Sequence, residues 1–112
     1  TVQRVLFDAA SRAAGGVRIA RTMGGTIESC FVIGFLGAGL QVYGGHEIMI
    51  SHSWAAECFW DDHECPRNGS SSIGVQIDGL DNYLDDVIVF SFTHVGVEVN
   101  GGANVLTGVH TW

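Results

Sequence analysis

Gly39-Leu40-Gln41-Val42 recurs in this chain as Gly16-Val17-Arg18-Ile19, Gly74-Val75-Gln76-Ile77 and Gly96-Val97-Glu98-Val99, and successive copies are 23, 35 and 22 residues apart. A second frame runs between these copies. It reads Ile27-Glu28-Ser29-Cys30-Phe31-Val32, Ile50-Ser51-His52-Ser53-Trp54-Ala55, Leu84-Asp85-Asp86-Val87-Ile88-Val89 and Leu106-Thr107-Gly108-Val109, with a fainter copy at Val2-Gln3-Arg4-Val5-Leu6-Phe7. Its steps are 25, 23, 34 and 22 residues. Two independent frames therefore keep nearly one period and lengthen at the same place, which identifies an internal repeat.

Each frame alternates apolar and polar residues with period two, the pattern of a short strand with one face inward. The pieces between frames, Gly44-Gly45 and Gly101-Gly102 among them, read as turns. A leucine-rich repeat of similar period would carry a regular L-x-x-L-x-L frame with an Asn, and none is present. The chain is thus expected to be all-β, a right-handed parallel β-helix of about five rungs of 22–25 residues, forming a single segment over residues 1–112. Stacking would align Ile27, Ile50, Leu84 and Leu106 in one inward ladder and Val17, Leu40, Val75 and Val97 in another, so that each rung buries its neighbour's apolar face. Cys30 falls inward beside Ser53, Val87 and Val109.

The long step locates an inserted loop of about twelve extra residues within residues 56–72. Insertions in solenoids form loops on one face, often the binding face. This one holds Trp60, Asp61, Asp62, His63, Glu64 and the only proline. Cys58 and Cys65 lie seven residues apart in it and could close a small disulfide loop in an oxidising compartment. Asn68-Gly69-Ser70 is an N-glycosylation acceptor pattern. Together these features favour secretion, with an extracellular or cell-wall location.

Composition narrows the alternatives further. Of 112 residues 46% are apolar, enough for one core, while 16 glycines against one proline suit many tight turns without stiff linkers. No apolar stretch reaches the roughly 18 residues of a membrane span. Residues 1–27 hold four arginines against Asp8, a net charge of +3, whereas residues 28–112 hold Arg67 against eleven carboxylates, a net charge of −10. Such acidity repels phosphate backbones, so nucleic acid is not an expected partner.

The residues Val42-Tyr43-Gly44-Gly45-His46-Glu47, Ser72-Ile73-Gly74-Val75-Gln76-Ile77, Asp81-Asn82-Tyr83-Leu84-Asp85-Asp86-Val87-Ile88-Val89-Phe90 and Asn100-Gly101-Gly102-Ala103-Asn104-Val105-Leu106-Thr107-Gly108-Val109-His110 resemble the pectate-lyase-like superfamily. Within it they are most similar to the plant QUARTET-type polygalacturonases. The resemblance covers roughly residues 25–110. It implies a right-handed β-helix and hydrolysis of pectin galacturonan by paired carboxylates. The aspartate and Gly-His-Gly motifs of ordinary polygalacturonases are absent, so the resemblance carries over no catalytic set. Members of that group are much longer, and further rungs of the same chain or stacked copies are expected against the ends of this segment.

Polysaccharide is the expected partner. The outward lane of the first frame is Arg18, Gln41, Gln76 and Glu98, followed by Tyr43, Asp78 and Asn100. With Trp60, the residues Arg18, Gln41, Tyr43, Gln76 and Glu98 form the candidate sugar-binding set, having the amide, carboxylate and aromatic character that orients a sugar. Glycoside hydrolysis needs two carboxyl groups flanking the scissile bond, and Asp61, Asp62 and Asp78 are the candidates, with Glu64 beside them. The same carboxylates lack the spacing of a calcium loop, and no metal or cofactor is expected. Asp85-Asp86 reads as structural, because Asp86 aligns with Ser29, His52 and Gly108 at a turn-adjacent position. His63 and His110 belong to no recognised zinc or nucleophile pattern. A lyase fits less well, since the chain has no lysine and four of its five arginines lie in the first two repeats. The rival to a polygalacturonase-like enzyme is a non-catalytic structural or adhesive β-helix segment of an extracellular filament or cell-surface assembly.

Overall fold

The computed structural model describes residues 1–10, 12–58, 71–91 and 94–112. Its strands are β1 (Val2–Gln3), β2 (Leu6–Asp8), β3 (Val17–Ala20), β4 (Met23–Glu28), β5 (Phe31–Ile33), β6 (Ala38–Ser51), β7 (Trp54–Ala56), β8 (Ile73–Leu80), β9 (Tyr83–Asp85), β10 (Ile88–Phe90), β11 (Val95–Asn100), β12 (Val105–Thr107) and β13 (His110–Thr111). Among the described residues there is no helix, and every strand pairing is parallel. The protein is all-β with two parallel sheets, one of eight strands and one of five.

Strand pairing follows the repeat read from the sequence. Val2, Ile27, Ile50, Leu84 and Leu106 pair in register, and so do Val17, Leu40, Val75 and Val97. Ile27, Leu40, Ile50, Val75 and Leu84 are buried in one cluster with Val32, Val87 and Val89. Leu106 occupies the same inward lane but is 44% exposed, because β12 has no described strand on its far side. Cys30 is buried, and its backbone N–H donates to Ser53 Oγ.

Two expectations about local structure need correction. Ile27-Glu28-Ser29-Cys30-Phe31-Val32 and its copies are not single strands. Each breaks at its third residue, and the tail joins the five-stranded sheet, ordered β13-β10-β7-β5-β2. The break is sharp because Arg4, Ser29, His52 and Asp86 adopt φ of 55°, 52°, 47° and 51°, with Gly108 at 62° in the fifth copy. Left-handed backbone costs a non-glycine residue roughly 1–2 kcal/mol. The cost is offset because each turn stays hydrogen-bonded to the next repeat, as Ser29 N–H donates to Ser51 O, His52 N–H to Asp85 O and Asp86 N–H to Thr107 O.

Gly44-Gly45, in turn, does not end a strand. It is a bend inside the 14-residue β6, where the register against β8 shifts between Tyr43 and Gly45 and Gly44 has φ of 61°. A bulge of this kind re-aims a strand while pairing continues on both sides.

Gly16 and Gly74, which open two copies of the first frame, have a steric explanation. A Cβ on Gly16 would lie 2.1 Å from Val32 Cγ1, and one on Gly74 would lie 2.0 Å from Val89 Cγ1. At this corner the backbone passes directly over the inward valines of the five-stranded sheet. Only a residue without a side chain fits there.

Candidate functional site

Sequence alternation turns Arg18, Gln41, Gln76 and Glu98 outward from β3, β6, β8 and β11, and parallel register sets them side by side. The Gln41 Nε2 amide donates to Gln76 Oε1, so the two side chains form one polar strip. Arg18, Gln41 and Gln76 line an open groove of ≈ 520 Å³ together with Ser71 and Ile73. Its floor is low because Gly16 and Gly37 contribute no side chains. No carboxylate is among the described lining residues, so an arginine and two amides dominate the groove in a protein of net charge −7.

The second lane pairs Tyr43 with Asp78 and Asp78 with Asn100. Arg18 lies 4.3 Å from the centre of the Tyr43 ring, a cation–π contact that holds the guanidinium over the sheet, and Arg21 lies 5.9 Å from the same ring. Glu98 accepts a hydrogen bond from Asn100 Nδ2. Asp78 and Glu98 face the same way on adjacent strands, Asp78 being two residues further along than Gln76, the partner of Glu98.

The structure therefore brings together Arg18, Gln41, Tyr43, Gln76, Asp78 and Glu98 on one face. Trp60, Asp61, Asp62, Glu64, Cys65 and Asn68 lie outside the described residues. Cys58 is buried, and Cys30 is the one free cysteine among the described residues. Glu57, grouped with the loop by sequence, is also fully buried. Ser72 Oγ donates to Glu57 Oε2 at 2.6 Å, and this contact joins the chain after β7 to the chain before β8. No cluster of three or more potential metal ligands occurs among the described residues.

Sequence reading missed two features. One is the pair of buried Asn82 and half-buried Asn104, whose side chains bridge neighbouring repeats. Its signal was present, since Asp81-Asn82-Tyr83-Leu84 returns 22 residues later as Ala103-Asn104-Val105-Leu106. The other is an aromatic row outside the five-stranded sheet, comprising Phe31, Trp54, Phe90 and Trp112.

Fold and face define a stack of parallel strands with a polar, arginine-bearing groove across one sheet. The chain is similar to Polygalacturonase QRT3 of Arabidopsis thaliana, with 28% identity over 113 residues. That alignment takes in all of this chain but spans only 23% of the relative's length. No protein-family model matches the chain. No solved structure matches it.

Proposed function

We propose that this chain is part of a secreted, polygalacturonase-like protein, coiled as a right-handed parallel β-helix of about five rungs, that binds a pectin-like polysaccharide across the β3-β6-β8-β11 face. The observation that carries this reading is the joint lining of one groove by Arg18, Gln41 and Gln76. Amide groups suit sugar hydroxyls, and a guanidinium pairs with a uronate carboxylate through two parallel hydrogen bonds. The likeness to a protein named polygalacturonase supports the same substrate class. Asp78, with Asp61 or Asp62, is proposed as the acid pair of glycoside hydrolysis. The whole protein's location is then extracellular or in the cell wall, with further rungs of the same chain against the segment described.

Changing Arg18 or Gln76 to Ala is expected to weaken trigalacturonate binding about tenfold, which corresponds to ~1.4 kcal/mol, while the melting temperature stays nearly constant. Neither side chain feeds the core. Isothermal titration and thermal melts on the same samples measure both quantities. Unchanged affinity in both variants overturns the reading of this face. Reducing-end assay of the full-length parent on polygalacturonate tests the enzymatic part, and no released ends would favour a structural or adhesive role.

Secretion has its own test. Cys58 and Cys65 are expected to be bonded and Asn68 to carry glycan in protein made by a eukaryotic secretory pathway. Intact mass before and after reduction and deglycosylation checks both. Two free thiols with an unmodified Asn68 would remove this support for secretion.

A further inference from the structure

A second pocket lies on a different part of the surface, at the corner where the eight-stranded sheet passes into the five-stranded one. It has a volume of ≈ 260 Å³ and is lined by Ser29, Cys30, Phe31, His52 and Trp54. Two repeats build it from equivalent positions, Ser29-Cys30-Phe31 from one and His52-Ser53-Trp54 from the next. Phe31 and Trp54 are register partners. Their rings meet edge to face, with centroids 5.6 Å apart at 79°, and Trp54 remains 47% exposed.

Beside this apolar wall runs a row of polar groups. The left-handed turns place Ser29, His52 and Asp86 in successive repeats, about 4.8 Å apart as neighbouring strands must be. His52 Nε2 is 3.9 Å from Asp86 Oδ2, and the two side chains are 58% and 65% exposed. Their polar tips are thus near each other yet open to solvent. The thiol of Cys30 is engaged within the fold, donating to Glu28 O at 3.4 Å.

We propose that this pocket is a binding site for one uncharged pyranose unit of a glycan, separate from the groove that carries Arg18, Gln41 and Gln76. A pyranose ring has apolar C–H faces and a hydroxylated rim, which match one flat aromatic surface bordered by hydrogen-bonding groups. The volume suits a single ring, since sites for drug-sized ligands run about 300–1,000 Å³. Charge selects against uronates. Glu28, Asp85 and Asp86 flank the corner row, and Arg4 is the cation within it, leaving the described surroundings net negative. A proline-rich peptide would draw on the whole row of Phe31, Trp54, Phe90 and Trp112, whereas a single pyranose ring needs only the two aromatics that line this pocket, Phe31 and Trp54.

The inference does not depend on the groove being a polysaccharide site. The test is a nuclear magnetic resonance titration of the whole chain with cellotriose, xylotriose and β-1,4-galactotriose, with trigalacturonate and a deca-proline peptide as comparators, following the Trp54 indole N–H assigned by its loss in Trp54→Ala. At least one neutral trisaccharide is expected to shift that resonance, and the Gln76→Ala variant should bind it unchanged. Trp54→Ala should weaken binding at least tenfold. His52→Gly, which removes the imidazole while suiting the positive φ, should weaken it about threefold and protects the test against misfolding of the tryptophan variant. The proposal is overturned if no neutral trisaccharide binds, if both variants bind as the parent does, or if trigalacturonate or the proline peptide is preferred at Trp54. Loss of trigalacturonate binding in Gln76→Ala would report on the groove alone.

Discussion

Gly74→Ala is expected to be among the most damaging single changes in the protein, lowering stability by about 3 kcal/mol and the melting temperature by about 12–24 °C. An added Cβ would sit 2.0 Å from Val89 Cγ1 and 2.7 Å from the carbonyl oxygen of Gly96. Val89 cannot yield easily, because it is fully buried and its β-branched side chain is restricted at χ1. The Gly96 carbonyl belongs to the next repeat, so moving it would disturb the pairing of β8 with β11. Gly102→Ala is the control, since its Cβ would meet only Leu80 Cδ2 at 3.8 Å, and its effect should stay within about 0.5 kcal/mol. Urea denaturation of the two variants beside the parent measures the difference. Equal stability would show that the corner is looser than these contacts describe.

Asn82→Ala should cost about 2–4 kcal/mol, although it removes only a small polar side chain. Asn82 is 1% exposed, and its amide joins three segments. Its Oδ1 accepts the Ile48 N–H at 3.0 Å, while its Nδ2 donates to Gly45 O at 3.2 Å and to Asn104 Oδ1 at 3.1 Å. Removing the side chain leaves a buried backbone N–H without its acceptor, and that desolvation accounts for most of the expected loss. Asn82→Leu should rescue nothing, because volume is not what is missing. Asn104→Ala should cost about 1 kcal/mol, since Asn104 is only half-buried and lies in the last repeat. Hydrogen exchange at the Ile48 amide provides a local readout and should accelerate in both Asn82 variants. An Asn82→Leu variant as stable as the parent would contradict this account.

Much of the architecture was legible because period-two alternation and a constant step are local properties. Val17, Leu40, Val75 and Val97 had to share a side of the sheet once their spacing was read, and Arg18, Gln41, Gln76 and Glu98 followed on the other. The site was legible to the same extent. Alternation identifies which residues point outward, but not that Gln41 and Gln76 join their amides or that Arg18 is held over Tyr43. Those contacts depend on side chains from repeats 23 and 35 residues apart.

The corners were legible only as the turn-adjacent slot shared by Ser29, His52, Asp86 and Gly108. Asp and His tolerate a left-handed backbone, but the residue types alone do not demand one. Ser29, His52 and Asp86 turn because the following inward residues, Cys30, Ser53 and Val87, are buried only if the chain changes direction there, and because each turning N–H finds a carbonyl on the next repeat. In the same way Gly44-Gly45 carries the composition of a turn, yet pairing with β4 and β8 on either side keeps it within a strand. The sequence by itself therefore determined the repeat, the parallel register and the inward and outward assignment of each strand residue. The tertiary structure alone decided how sharply each repeat bends, which glycines are sterically obligatory, and which polar and aromatic side chains meet at the two surface sites. Alternation is written into adjacent residues, whereas bending, close approach and convergence depend on what the neighbouring repeat presents.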